Sequence, residues 1–233
     1  MKPLVVTFDC ASTLVRVKWT PGGFAVDCAR AAGLEIAEEE RAAYEKMLRY
    51  RWSDYQDLNQ TRDPQILDGF WLQLTEDWLR AIGKPASLAA EMTAAAPALL
   101  YGKNSDMFLL YDDVLPIVDI LSQRGIRLGV LSNWDYSLHR VLKALDVNHR
   151  FEFVFASLEE GFEKPDPRLF QLALDRFGVT AADAVHVGDD PLDDFRGAQD
   201  AGIRAYLIDR SHPASRGAVL ARLTDLVEAL DRD

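Results

Sequence analysis

A chain of 233 residues falls between one domain and two at about 100–200 residues per domain, and its 48% hydrophobic content is enough for a buried core. With 37 acidic residues against 26 basic ones, the formal net charge is −11, the opposite of the basic footprint needed to bind nucleic acid or an anionic membrane. Cys10 and Cys28 alone cannot make a disulfide framework, no apolar run approaches the ~18 residues of a membrane span, and the run before Asp9 is too short for a signal peptide, so a cytoplasmic protein is expected.

Residues 4–8, LVVTF, are apolar and β-prone and predict a first buried strand that runs directly into Asp9. From about residue 17 to 103 no convincing strand pattern occurs, and three or four helices are expected there as an inserted domain. The clearest places Ile66, Leu67, Phe70, Trp71, Leu74, Trp78, Leu79 and Ile82 on an apolar stripe of helical period. That period predicts that Trp71 and Trp78, with Tyr44, Tyr50, Trp52 and Tyr55, are mostly bundle core; lining a substrate pocket is the second reading for any one of them. Arg41, Lys46, Arg49 and Arg51 are interleaved with Glu38, Glu45 and Asp54, the pattern of a solvated face with ion pairs along the helix.

Beyond residue 104 strands alternate with helices. Strands are predicted over 127–131, 153–155, 184–187 and 203–208, and helices over Val114–Gln123, 137–145, Pro167–Phe177 and 191–201, with Gly125, Gly178 and Gly202 as helix stops. Such alternation means a parallel sheet covered on both faces. The expected fold class is α/β, a doubly wound parallel sheet built from residues 1–16 and 104–233, interrupted by a helical domain over 17–103.

Ligands of a doubly wound sheet bind beyond the carboxyl ends of the strands. There the first strand meets Asp9, followed by Ala11, Ser12 and Thr13; the second meets Ser132 and Asn133, with Asp135 opening a helix. Lys164 follows the third, and Asp189, Asp190, Asp193 and Asp194 follow the fourth. Singly, these residues have simpler readings. Ser132, Asn133 and Asp135 suit a helix cap, Asp166 and Asp190 each precede a proline as N-caps do, and Asp193 suits the positive end of a helix.

As an ordered set they supply the parts of phosphoryl transfer. A carboxylate at Asp9 can attack phosphorus and form an acyl phosphate. Asp9 and a substrate phosphate repel unless a cation bridges them, and Asp189 suits Mg²⁺, which takes one or two carboxylates, waters and a phosphate oxygen. Ser132 and the amides of the following helix can receive phosphoryl oxygens, while Lys164 can neutralise Asp9 and the developing charge. His139, His149, His186 and His212 show no metal-ligand spacing; His186, inside an apolar strand, reads as a satisfied core histidine and Cys10 as packing. No phosphate-binding GxxxxGK[ST] loop occurs.

With those residues in hand, the chain resembles the haloacid dehalogenase superfamily, in the subfamily whose helical cap is inserted between the first and second motifs. The motifs are FDCASTL around Asp9, LSN around Ser132, EKPDP around Lys164 and VGDDPLDDFRGAQDAG around Asp189. The resemblance implies a Rossmann-like core with the Asp9 strand central and a cap over 17–103. It implies Asp9 as nucleophile and Lys164 as its catalytic partner, with Ser132, Asn133, Thr13 and Lys164 binding substrate. Asp9, the carbonyl of Ala11, Asp189 and Asp194 are the implied Mg²⁺ ligands, and a small phosphorylated metabolite the implied substrate, with no nucleic-acid or membrane partner.

The departure is Ala11, where phosphatases of this family carry a second Asp as general acid and base; Ser12 also replaces the usual Gly. A positioned acid or base contributes about 10²–10⁴-fold to rate. Three reconciliations are open: a substrate with a good leaving group, such as an acyl phosphate or anhydride; a proton delivered from the cap; or a regulatory protein that binds metal and phosphate with little turnover. Relatives that cleave phosphonates also carry Ala here and use a cap lysine, for which Lys18, Lys46, Lys84 and Lys103 are the candidates. Dehalogenation fits less well, because that branch resembles a metal-free site with Tyr at the Ala11 position.

Overall fold

The computed structural model describes residues 3–212 and 214–232 and divides into two compact units, Met1–Val17 with Leu109–Asp233, and Lys18–Phe108. In chain order the strands are β1 (Val5–Phe8), β2 (Val15–Val17), β3 (Phe108–Leu110), β4 (Arg127–Ser132), β5 (Phe153–Ala156), β6 (Ala184–Gly188), β7 (Arg204–Ile208) and β8 (Val219–Leu220). Six of them form one sheet in the order β5-β4-β1-β6-β7-β8, every pair parallel. The chain is thus an α/β protein with a Rossmann-like sheet and flanking helices, and β1 lies inside the sheet between β4 and β6.

Parallel strands covered on both faces read as continuous apolar runs, and β1 is buried at every position. Its neighbours fix it in register: Phe8 lies opposite both Val130 and Val187, so the carboxyl ends of β1, β4 and β6 reach one rim together. Val5, Leu131 and Ala205 share a buried cluster with Leu169, Phe170 and Phe177 from the helix Pro167–Phe177. Each such side chain contributes roughly 1.5–3 kcal/mol when fully buried.

The stretch 191–201 departs from the single α-helix expected of it. It opens as a π-helical turn, Pro191–Arg196, and only then becomes the α-helical turn Gly197–Asp200. Asp190 starts the turn as its N-cap, accepting the N–H groups of Leu192 and Asp193, while its carbonyl accepts from both Asp194 and Phe195. The bond to Phe195 spans five residues and widens the turn. Apolar spacing does not separate that path from an ordinary helix. The short strands β2, β3 and β8 were also not expected; at two or three residues they carry no periodic signal. β2 and β3 pair with each other as a separate ribbon.

The unit Lys18–Phe108 is helical, with helices Pro21–Ala31, Glu38–Tyr50, Trp52–Asn59, Pro64–Ala81 and Ala89–Tyr101. In Pro64–Ala81 the stripe residues Leu67, Phe70, Leu74, Trp78 and Leu79 are buried, as the period requires, whereas Ile66 at its start is exposed. Trp78 meets Tyr44 edge-on at 5.1 Å and donates its indole N–H to the Glu40 carbonyl at 2.7 Å. Tyr50 and Trp52 are exposed rather than core. Arg41 pairs with Glu38 and Glu45 on its own helix, while Arg51, between two helices, reaches Asp77 of Pro64–Ala81. The unit runs past residue 103 because Phe108 stacks on Tyr101 and meets Trp19 edge-on. Among the described residues no helix is long and apolar enough to cross a membrane.

Candidate active site

Asp9 leaves β1 with its backbone N–H bonded to the Val187 carbonyl of β6 at 2.9 Å, which fixes where its side chain emerges. That side chain is buried, and both donors to it land on Oδ1: Ser132 Oγ at 2.9 Å and Lys164 Nζ at 2.7 Å. Ser132 closes β4 two residues past Val130, the partner of Phe8, so the pairing of β1 with β4 carries it to the same rim as Asp9. Lys164 comes from a loop and is held by a reciprocal clamp, in which its N–H donates to Asn133 Oδ1 and its carbonyl accepts from Asn133 Nδ2, each at 2.8 Å. Asn133 therefore grips the backbone of Lys164, and its amide also reaches Asp193 at 3.3 Å.

Lys164 Nζ also donates to Asp194 Oδ1, forming a second buried ion pair. Asp194 is turned inward by the π-helical turn. Its Oδ1 further accepts from His186 Nε2 at 3.1 Å, and its Oδ2 accepts the Asp190 N–H at 3.0 Å. A carboxylate only accepts, so Nε2 of His186 carries the proton. The other ring nitrogen, Nδ1, lies 2.9 Å from the Thr7 hydroxyl. A continuous buried network thus runs from Thr7 through His186, Asp194 and Lys164 to Asp9 and Ser132. His186 is a core histidine, but it also orients a site carboxylate. The signal for it lay in two buried apolar strands that each carry one polar residue, Thr7 and His186, directly opposite one another.

Asp189 completes an acidic triangle: one oxygen each from Asp9, Asp189 and Asp194 lie within 4.8 Å of one another. Thr13 Oγ1 donates to Asp189 Oδ1 at 3.3 Å. Asp190 and Asp193 stand outside the triangle, in the turn. Burial raises the Asp9 carboxyl above the usual range, with Lys164 opposing and Asp194 adding to the effect. Asp189 is pushed up to about 6 by partial burial and by Asp9 and Asp194. For Asp194, burial is outweighed by the His186 hydrogen bond and the charge of Lys164, which hold it well below the usual range. Burial would lower Lys164, but Asp9 and Asp194 outweigh it and keep the ammonium charged.

Three carboxylates face one ammonium, leaving two negative charges uncompensated in a largely buried place. Uncompensated buried charge is costly, and a hard divalent cation fits both the deficit and the all-oxygen donor set. The Asp189 carboxylate is the most open ligand of the three, since Asp194 already accepts three hydrogen bonds and Asp9 Oδ1 accepts two. Ala11, half-buried, contributes no side-chain proton donor; its carbonyl accepts the Thr13 N–H at 2.6 Å, and Ser12 takes a left-handed conformation at φ 57°. Cys10 is fully buried, and burial followed by the Asp9 charge raises its thiol well above its usual value, as suits packing.

The profile of one family, described as haloacid dehalogenase-like hydrolase, matches residues 4–202. The human haloacid dehalogenase-like hydrolase domain-containing protein 3 is 31% identical over 97% of this chain and 93% of its own length. A phosphoserine phosphatase of Thermus thermophilus is 30% identical over 79% of this chain and 80% of its own. Among solved structures, a 2-haloacid dehalogenase from Pseudomonas syringae superposes with a TM-score of 0.68 at 26% identity, covering 98% of both chains.

Proposed function

This chain belongs to the haloacid dehalogenase-like hydrolase family, and on that premise we propose that it is a Mg²⁺-dependent phosphatase of a small phosphorylated metabolite, acting through an aspartyl phosphate at Asp9. The observation that carries this reading is the asymmetry of Asp9: Ser132 and Lys164 both hold Oδ1, which leaves Oδ2 with its lone pairs for attack. Phosphatases among the relatives support a phosphoryl substrate, and the acidic triangle of Asp9, Asp189 and Asp194 supports a divalent cation as the partner.

Asp9 Oδ2 forms a bond to phosphorus as the bond to the leaving-group oxygen breaks, and water then hydrolyses the acyl phosphate to regenerate the carboxylate. Asp9 and Asp189 would hold Mg²⁺, with Asp194 and the Ala11 carbonyl completing its surroundings, and the ion would supply charge neutralisation between carboxylate and phosphate. Lys164 holds its proton throughout, offsetting charge on Asp9 and on the transferring oxygens. Ser132 keeps Oδ1 turned away from phosphorus, Asn133 holds the backbone that carries Lys164, and Thr13 steadies Asp189. Because Ala11 offers no proton, the leaving group must depart as a stable anion, which favours acyl phosphates over alkyl esters. Of the four candidate lysines for an imine route to C–P cleavage, Lys18 and Lys84 engage Asp106 and Glu40 inside their own unit, and Lys46 and Lys103 are exposed.

The test is hydrolysis of acetyl phosphate, p-nitrophenyl phosphate and a panel of sugar phosphates with and without Mg²⁺. Mg²⁺-dependent turnover, fastest on acetyl phosphate and lowered at least 10³-fold by Asp9→Asn, is expected for loss of a nucleophile. Metal-independent hydrolysis, or full activity in Asp9→Asn, overturns the reading.

A further inference from the structure

The loop that follows Asp9 is tight, and its own hydrogen bonds leave part of it unpaired. Within it, Ser12 N–H donates to the Val15 carbonyl, Leu14 and Val15 N–H both donate to the Cys10 carbonyl, and Thr13 N–H donates to the Ala11 carbonyl. The carbonyls of Ser12 and Thr13 turn outward instead, and both are taken by one side chain from far along the sequence. Arg210, just beyond the end of β7, donates Nε–H to the Ser12 carbonyl at 3.2 Å and Nη2–H to the Thr13 carbonyl at 2.6 Å.

The third arm of the guanidinium, Nη1, donates to Asp113 Oδ2 at 3.0 Å. Asp113 is buried; the same oxygen accepts the Leu223 N–H at 2.7 Å, and its other oxygen has no hydrogen-bond partner among the described residues. The guanidinium carbon lies 3.6 Å from the centroid of the Tyr111 ring, and Tyr111 N–H donates to the Leu14 carbonyl, so the platform beneath Arg210 is tied to the same loop. Each nitrogen of Arg210 makes one of these bonds, which commits three of its five N–H groups to the loop and to Asp113. A planar fork of fixed geometry suits this task; a lysine ammonium is a compact point charge and lacks that fixed spread of donors.

We propose that Arg210 is a positioning residue for the nucleophile: by pinning the Ser12 and Thr13 carbonyls it holds the loop that sets the Ala11 carbonyl and aims the Thr13 hydroxyl at Asp189. It acts through that loop without touching substrate. The reaction half of this proposal rests on Asp9 being the nucleophile; the loop-holding half does not.

The test compares wild type with Arg210→Lys, and with the pair Arg210→Ala and Asp113→Asn, which removes the stranded charge and protects against simple misfolding. Hydrogen exchange is read at the loop amides of Ser12, Leu14 and Val15 and at the sheet amides of β1 and β6, alongside kcat and KM for acetyl phosphate. Loop exchange at least tenfold faster with sheet exchange unchanged, and kcat down about tenfold with KM within twofold, is expected. Loop amides that exchange as in wild type overturn the proposal, as does acceleration of loop and sheet together, which marks a merely structural role. A loosened loop with unchanged kcat refutes the positioning role. If wild type hydrolyses no phosphate while loop exchange behaves as expected, the phosphatase reading fails and the loop anchor stands.

Discussion

At Ala11 a methyl group stands where the reading of the site calls for a proton donor. A positioned acid contributes about 10²–10⁴-fold, or roughly 3–5 kcal/mol of barrier. Ala11→Asp is therefore expected to raise turnover of alkyl phosphates at least tenfold while changing acetyl phosphate turnover much less; equal gains on both substrates would contradict the leaving-group argument. Asp189 makes a second prediction through its ionisation. Its carboxyl is raised in the folded protein to about 6 from an ordinary 3.8, so the folded state binds this proton more tightly than the unfolded one does. The ionised group opposes folding above about pH 6, and that penalty disappears as pH falls toward 4. Asp189→Asn is expected to raise the Tm of the metal-free protein at pH 7.5, to change it little at pH 4, and to remove any rise in Tm on adding Mg²⁺. A Tm gain that is the same at both pH values would show that the charge is not its source.

At the scale of elements, the end of β6 and the π-helical turn after it work as one part. Gly188 closes β6, and a Cβ added there would overlap the Asp194 carboxylate. Gly188→Ala must push Asp194 away from Lys164 and His186, and both a lower Tm and a loss of hydrolysis of at least 10²-fold are expected, checked by melting and steady-state kinetics. The alternation of strand and helix was legible because each central strand is a mainly apolar run, with Thr7 and His186 as the polar exceptions in β1 and β6, and the helices carry apolar stripes. The candidate site was legible for a related reason: Asp9, Ser132 and Asp189 interrupt those runs at their carboxyl ends. The widened turn was not legible, since its extra residue per turn leaves apolar spacing nearly unchanged over six residues. Nor was the grip of Asn133 on Lys164, or that of Arg210 on the loop after Asp9, because both are contacts between segments distant in sequence. His186 sat between these cases, read as core from its strand but tied to the site only through its cross-strand partner Thr7.

At the scale of the whole molecule, a net charge of −11 first reads as a property of the surface. Part of it is concentrated at the carboxyl rim of the sheet, where Asp9, Asp189 and Asp194 cluster and one buried lysine pairs with Asp9 and Asp194. Burial makes such a concentration costly, and Lys164 together with the hydrogen bonds of Ser132, Thr13 and His186 offsets part of that cost. The same deficit of positive charge that disfavours polyanion partners is what a divalent cation and a phosphoryl substrate would use together. The direct measurement is the intact mass of protein quenched in acid during turnover of acetyl phosphate with Mg²⁺, followed by peptide mapping. Phosphoryl transfer through Asp9 predicts one added phosphoryl group on the peptide containing Asp9, absent without Mg²⁺ and absent in Asp9→Asn. Hydrolysis that proceeds with no adduct at any quench time, or an adduct that persists in Asp9→Asn, would contradict it.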